Sequence, residues 1–324
     1  MATIGYSSRK LKENIDNKTI PLMGVMGAFI FAAMMINFTI PGTGSSGHIG
    51  GGMILTVILG PYAAFLVLAS VLMVQALFFA DGGLLALGCN IWNLGIYPCF
   101  IAYPLIYKPI AGDGTSAKRI YIAAIVSVII ALQLGAFSVV LETLLSGRSE
   151  LPFNTFVLLM QPIHLAIGLV EGIATAGIIS YVKKVRPEIL EANNTLQPLE
   201  AGISLKNVLT VFVILAVITG GALSWFASTH PDGLEWSIEK VTGKGELAGQ
   251  ASGIAPILKN IQEKTAFLPD YNFKPVEKEK TEEEKPPVWP GIEAGTSFAG
   301  ILGGAIVLIF ILFIGFGIRR FKKQ

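Results

Sequence analysis

Ile49-Gly-Gly-Gly52-Met-Ile-Leu-Thr-Val-Ile-Leu59-Gly60-Pro61-Tyr62-Ala-Ala-Phe65 opens an apolar run that continues to Ala80. Reading it as one span or two decides the fold. Taken as one span, it puts Lys108, Lys118 and Arg119 across the bilayer from the N-terminal basic residues Arg9, Lys10, Lys12 and Lys18, and does the same to Lys183, Lys184 and Arg186. The bias of basic loops toward the cytoplasm opposes both placements. A break at Gly60-Pro61 removes the conflict, because proline lacks the backbone donor and clashes with the preceding turn. Ile49–Leu59 then becomes a half-length span of about 16 Å, and Tyr62–Ala80 returns across the membrane.

The remaining runs, at about 20–40, 84–107, 119–145, 153–182, 206–228 and 292–318, are long enough to cross a hydrocarbon core of about 30 Å. With the split, eight membrane segments result, and both ends of the chain lie in the cytoplasm. The composition agrees: of 324 residues, 52% are hydrophobic and 14% charged, with mean hydropathy +0.64. The apolar runs are continuous rather than alternating, which disfavours a β-barrel. A formal charge of +2 gives no sign of nucleic-acid binding. Cys89 and Cys99 share one apolar run and read as buried thiols. The fold class is therefore an all-α polytopic membrane protein.

Upstream of the split helix lies Pro41-Gly-Thr-Gly44-Ser45-Ser46-Gly47-His48, on the outer side in this topology. A half-length helix cannot span the bilayer, so its outer end is sunk in protein and the glycine loop lines a pocket open to the outside. His48, one of three histidines, is a candidate metal ligand or pocket hydrogen-bonder; imidazole suits nickel, cobalt, zinc or copper. The plainer reading is a histidine satisfied by neighbouring carbonyls. The loop also matches GxGxxG, which carries no weight without a βαβ unit. No GxxxxGK[ST] run is present, so any ATP is bound by another subunit.

His164 and Glu171, two helical turns apart, face one way together with Gly168 and Thr175. An intramembrane carboxylate needs a partner, so the pair is a transport element or a polar clamp between helices. Asn90, Asn93 and Gln133 read as clamps, and Glu142 as a residue near the outer interface. His230-Pro-Asp232-Gly-Leu-Glu235 reads as a helix start capped by Asp232, with Glu235 in capping-box position. Its sharper reading is an outer metal-recruiting cluster of one imidazole and two carboxylates.

The glycine–serine–histidine loop, Phe78-Phe-Ala-Asp81 to Asn90, and His164…Gly168…Glu171-Gly together resemble the CbiM/NikM family, over about residues 5–186. His-Pro-Asp-Gly-Leu-Glu-Trp, a charged outer loop and a last span resemble the CbiN/NikN component, the PDGLE module, fused behind it. CbiM/NikM proteins are substrate-capture subunits of energy-coupling-factor importers of Co²⁺ or Ni²⁺, which feed cobalamin synthesis or nickel enzymes. The resemblance implies a six-segment S-component-like core and a two-segment tail, a transported cation and no organic cofactor. It also implies two partners in the cell membrane: a coupling protein (CbiQ/NikQ-like) and a cytoplasmic ATPase (CbiO/NikO-like). The expected organisation is 19–186 as core, 187–205 as cytoplasmic linker, and 206–324 as PDGLE module with an outer loop at about 229–291.

In that family the cation is held by the N-terminal amine, a second-position histidine with its amide, and a loop histidine that maps to His48. Met1-Ala2-Thr3 stands where Met-His is expected. Residues 1–18 therefore read as the cytoplasmic remnant of a missing first helix, with Ile4–Ser8 as its inner end; a start site set too late is the expectation, a loss of capture the alternative. Two further functions compete with metal capture. One is an intramembrane serine hydrolase using Ser45 or Ser46 with His164 as base; the other is a carrier of an organic vitamin, whose pocket should have aromatic and hydrogen-bonding walls.

Overall fold

Gly60 adopts φ 83°, ψ 159°, a conformation essentially restricted to glycine, and Pro61 starts the next helix at its first turn. This break divides the deciding run into α3 (Gly52–Leu59) and α4 (Pro61–Phe78). The computed structural model describes residues 1–147, 151–195, 204–244, 253–274 and 289–320. The charge run Lys274–Lys285, past its first residue, and the terminal Phe321-Lys322-Lys323 lie outside the described residues.

Among the described residues the chain is helical but for one hairpin. α1 (Ala2–Asn14) and α2 (Thr19–Met34) precede the strands β1 (Phe38–Ile40) and β2 (Ser45–Gly47); α3 and α4 follow. α5 (Leu87–Ile91) passes through a π-helical stretch, Trp92–Tyr107, into α6 (Lys108–Ala111). Pro98 and Pro104 lie inside that stretch; each lacks the donor an α-helical bond requires, and a wider turn is one way a helix absorbs this. Next come α7 (Ala117–Leu145), α8 (Phe153–Val185), α9 (Pro187–Thr195), α10 (Lys206–Gly221), α11 (Gly233–Thr242), α12 (Ala255–Thr265) and α13 (Ala294–Arg320). α4, α7, α8 and α13 are long and apolar enough to cross a membrane, while α2 and α10 are shorter apolar helices.

α2 is buried around its circumference, from Ile20 through Met34 with Pro21 the one exception. α4, α10 and α13 pack around it, so the two helices of the C-terminal half lie directly against the N-terminal half. Close approach depends on small residues, as in membrane helix packing generally. A Cβ built on Gly27 would strike Ile311, one on Gly303 would strike Phe31, and one on Gly300 would strike the Gly220 carbonyl oxygen. Gly300→Val is accordingly expected to pry α10 from α13 and cost about 1–3 kcal/mol, read as a lowered thermal midpoint in detergent. An equal midpoint would show that the two helices do not need this contact.

Cys89 departs from its expectation, and three other readings gain detail. Cys89 is exposed and only Cys99 is buried: α5 holds Cys89 at the surface, beside Glu142 of α7. The segment after Val185 opens with α9, whose Ile189 is 2% exposed. In the outer loop, α11, α12 and a turn at Pro269–Tyr271 form. Tyr271 there donates to the Asp81 carboxylate and accepts from Gln75; burial, then Asp81, pushes its phenol well above the usual range. Glu142 is not simply interfacial: it accepts from Asn93 Nδ2 at 3.0 Å and from Ser138 Oγ at 3.4 Å. At the chain start, α1 lies on α4 with Leu11 buried and Tyr6 edge-on to Tyr62.

Candidate functional site

The glycine loop folds as a hairpin, with Phe38 opposite Gly47 and Ile40 opposite Ser45. It is pinned from two directions. From below, Glu171 of α8, 2% exposed, accepts the Gly50 N–H through Oε2 at 2.8 Å and the Gly51 N–H through Oε1 at 2.9 Å. These amides sit at the start of α3, where helix N-terminal N–H groups lack intrahelical partners and a negative charge is favoured. Gly51 itself has φ 72°, the left-handed turn that swings the chain from hairpin into helix. One buried carboxylate thus fixes the residues that immediately follow His48.

From above, the PDGLE segment docks onto the hairpin. Ser46 N donates to the Pro231 carbonyl at 2.8 Å, and Ser46 Oγ donates to the His230 carbonyl at 2.8 Å. Ser228 N bonds the Asn37 carbonyl at 2.7 Å. Asp232 caps α11, its Oδ1 accepting from Leu234 N and Glu235 N at 2.8 Å each; the capping expectation is met. Gly233 leaves no room for a side chain: a Cβ would stand 2.9 Å from Ile163 and 3.2 Å from the His164 ring.

Between these two supports lies a cavity of about 100 Å³, lined by His48, His164, Asp232, Gly50, Leu94 and Leu132 among others. His164 Nδ1 donates to the Met160 carbonyl at 2.8 Å. The bond fixes the tautomer and leaves Nε2 with its lone pair, as ligating histidines require. His48 Nδ1 is 3.4 Å from the Ile49 carbonyl. Room for about three waters at some 30 Å³ each is too little for a cation with its full aqueous shell, so an occupant would exchange water for protein ligands. A smaller space below shares Gly50, Leu94 and Leu132 and adds Asn93 and Glu171.

The structure brings together three predicted residues, His48, His164 and Asp232, with Glu171 behind them. His230 and Glu235 do not join: among the described residues no group of three His, Cys, Asp or Glu stands close enough to hold a metal by itself. Asn90 donates to the Gly82 carbonyl at 3.1 Å and ties a loop, away from the cavity. Gln133 and Gln161 exchange amide–carbonyl bonds between α7 and α8, at 2.9 and 3.3 Å, as the clamp reading expects. The hydrolase arrangement is not formed. Ser45 and Ser46 are fully buried, their hydroxyls donate to backbone carbonyls, and the His164 Nδ1 proton points to Met160.

Comparison with known proteins places this geometry. Residues 1–189 match the model of a family described as CbiM, cobalt uptake substrate-specific transmembrane region, and residues 206–320 match the PDGLE domain. A protein of Archaeoglobus fulgidus named "Putative fused nickel transport protein NikMN" is 32% identical over all of this chain and 92% of its own length. A fused nickel transport protein NikMN of Rhodobacter capsulatus is 29% identical over 77% of this chain and 74% of its own. A crystal structure of a transition metal transporter superposes with TM-score 0.50 at 30% identity, covering 60% of this chain and 90% of that one.

Proposed function

The chain belongs to the CbiM family, with a PDGLE domain fused behind it, and on that premise we propose that this metal-transport membrane protein captures Ni²⁺ or Co²⁺ in the His48 cavity for an energy-coupling-factor importer. The observation that carries the reading is the sharing of one cavity by His48, His164 and the PDGLE aspartate Asp232. Two imidazoles suit a borderline transition-metal ion, and a carboxylate at the mouth attracts it electrostatically. Further nitrogen ligands, of the kind the family resemblance implies beside His48, would complete the coordination.

In this reading the protein is not an enzyme. A coupling membrane protein (CbiQ/NikQ-like) and a cytoplasmic ATPase (CbiO/NikO-like) supply the work, consistent with the lack of a phosphate-binding loop in this sequence. The cavity opens outward and both ends of the chain face the cytoplasm of the cell. His230 and Glu235 do not line the cavity; exposed within three residues of Asp232 in sequence, they would add imidazole and carboxylate to the outer surface that a cation meets. Glu171 is a positioning residue, holding the loop and not the ion.

Asp232 carries a test that separates cap from capture. Serine is also a good N-cap, so Asp232→Ser keeps α11 while removing the charge; alanine costs about 1 kcal/mol of capping as well. Titration calorimetry with Ni²⁺ on the purified protein is expected to show weaker binding for both variants, with a lowered thermal midpoint only for Asp232→Ala. Unchanged affinity in Asp232→Ser would remove the PDGLE aspartate from the site.

A further inference from the structure

α12 leaves one apolar stripe open. Ile254, at its N-cap, and Ile257 and Ile261 are 63%, 60% and 43% exposed, and at about 100° per residue they fall within about 60° of one another around the helix. The adjoining arc faces protein: Ala266, which follows the helix, is 2% exposed, Thr265 Oγ1 donates to the Leu77 carbonyl at 2.7 Å, and Gln262 Oε1 accepts from Leu84 N at 3.2 Å. Lys259 and Glu263 lie on the opposite, exposed side, and Lys264, also exposed, borders the stripe about 20° from Ile257.

Backbone bonds fix the depth of this helix. Leu268 N donates to the Phe78 carbonyl at 3.3 Å and Asp270 N to the Phe79 carbonyl at 2.9 Å, at the C-terminal end of α4, a membrane-crossing helix. α12 therefore lies where that span leaves the hydrocarbon. Phe267 packs on Phe78 at 5.6 Å, and Phe273 stacks on Phe298 of α13 at 5.8 Å. Phe298 and Ile301 are themselves exposed on α13, a helix long and apolar enough to cross a membrane. An apolar stripe with one lysine opposite it and another at its edge, held at this depth, is the pattern of a helix lying in the membrane interface.

We propose that α12 is an interfacial helix: Ile254, Ile257 and Ile261 sink into the acyl-chain boundary of the leaflet at the α4 C-terminus, and Lys259 and Lys264 reach the headgroups. The bilayer would then anchor the PDGLE module between α11, which walls the His48 cavity, and α13. This inference stands apart from the cation reading and survives if that reading fails. The test places a nitroxide label at Ile257→Cys or Lys259→Cys in a Cys89→Ser, Cys99→Ala background, in the full chain reconstituted into phosphatidylcholine–phosphatidylglycerol vesicles. The label at 257 is expected to favour dissolved oxygen over a water-soluble chromium complex severalfold, and the label at 259 to show the reverse. Equal access to the chromium complex at both positions would place α12 in water. A label at 257 shielded from both relaxants would mean that protein, including a second copy of this chain, covers the stripe. Either result overturns the proposal.

Discussion

Glu171→Gln is expected to weaken Ni²⁺ or Co²⁺ binding by about ten- to a hundredfold, the usual effect of removing a group that orients a ligand, and to lower the thermal midpoint. The wild-type carboxylate accepts two N–H groups, from Gly50 and Gly51. A glutamine offers one oxygen and sets its own NH₂ against the second amide. A buried N–H left without an acceptor costs about 1–3 kcal/mol, and the charge at the helix N-terminus is lost as well. Glu171→Leu, which satisfies neither amide, should be worse than glutamine on both measures. If Glu171 were a direct ligand rather than a support, the Gln variant would lose affinity with its thermal midpoint unchanged in the absence of metal. Calorimetry and thermal denaturation on the same preparations separate the two outcomes.

The sequence showed that Glu171 must meet something polar, but not what. A lone carboxylate in an apolar run signals a partner by its desolvation cost, yet that partner is a pair of backbone amides some 120 residues earlier, and backbone amides carry no mark in a sequence. The break at Gly60-Pro61 was legible for the opposite reason: proline's missing donor and glycine's backbone freedom are local properties. The Asp232 cap was legible from its spacing to Glu235. The docking of Ser46 onto Pro231 was not, because it depends on the C-terminal half returning to a hairpin formed almost two hundred residues earlier.

Two other departures have the same physical origin. α12 combines apolar residues with lysines and a glutamate at helical spacing, and inside a long polar loop that pattern is easily taken for solvated chain; its bonds to the end of α4 hold it in place. Cys89 lies in an apolar run, but in a membrane protein an apolar residue can face lipid as readily as the bundle, so hydropathy cannot say which side it takes. His164 was singled out with Glu171 as sharing a face, and it does. What spacing could not supply was the cavity wall contributed by Asp232.

The second large effect is at His48. Its imidazole, half-buried at the wall of the cavity, is the one side chain here that also maps onto the ligand set implied by family resemblance. Alanine removes a ligand outright and leaves a space that water can fill, so the loss of affinity should exceed that of any supporting residue. About a hundredfold or more is expected, near 2.8 kcal/mol or above at 1.4 kcal/mol per tenfold. The thermal midpoint without metal should barely move, since among the described residues the ring's hydrogen bond is a long one, 3.4 Å to the adjacent Ile49 carbonyl.

The most direct measurement is equilibrium titration of Ni²⁺ and Co²⁺ into the purified protein, beside its His48→Ala variant. The account predicts one cation per chain for the parent and no saturable binding in the same concentration range for the variant. Equal affinity and stoichiometry in the two would contradict it.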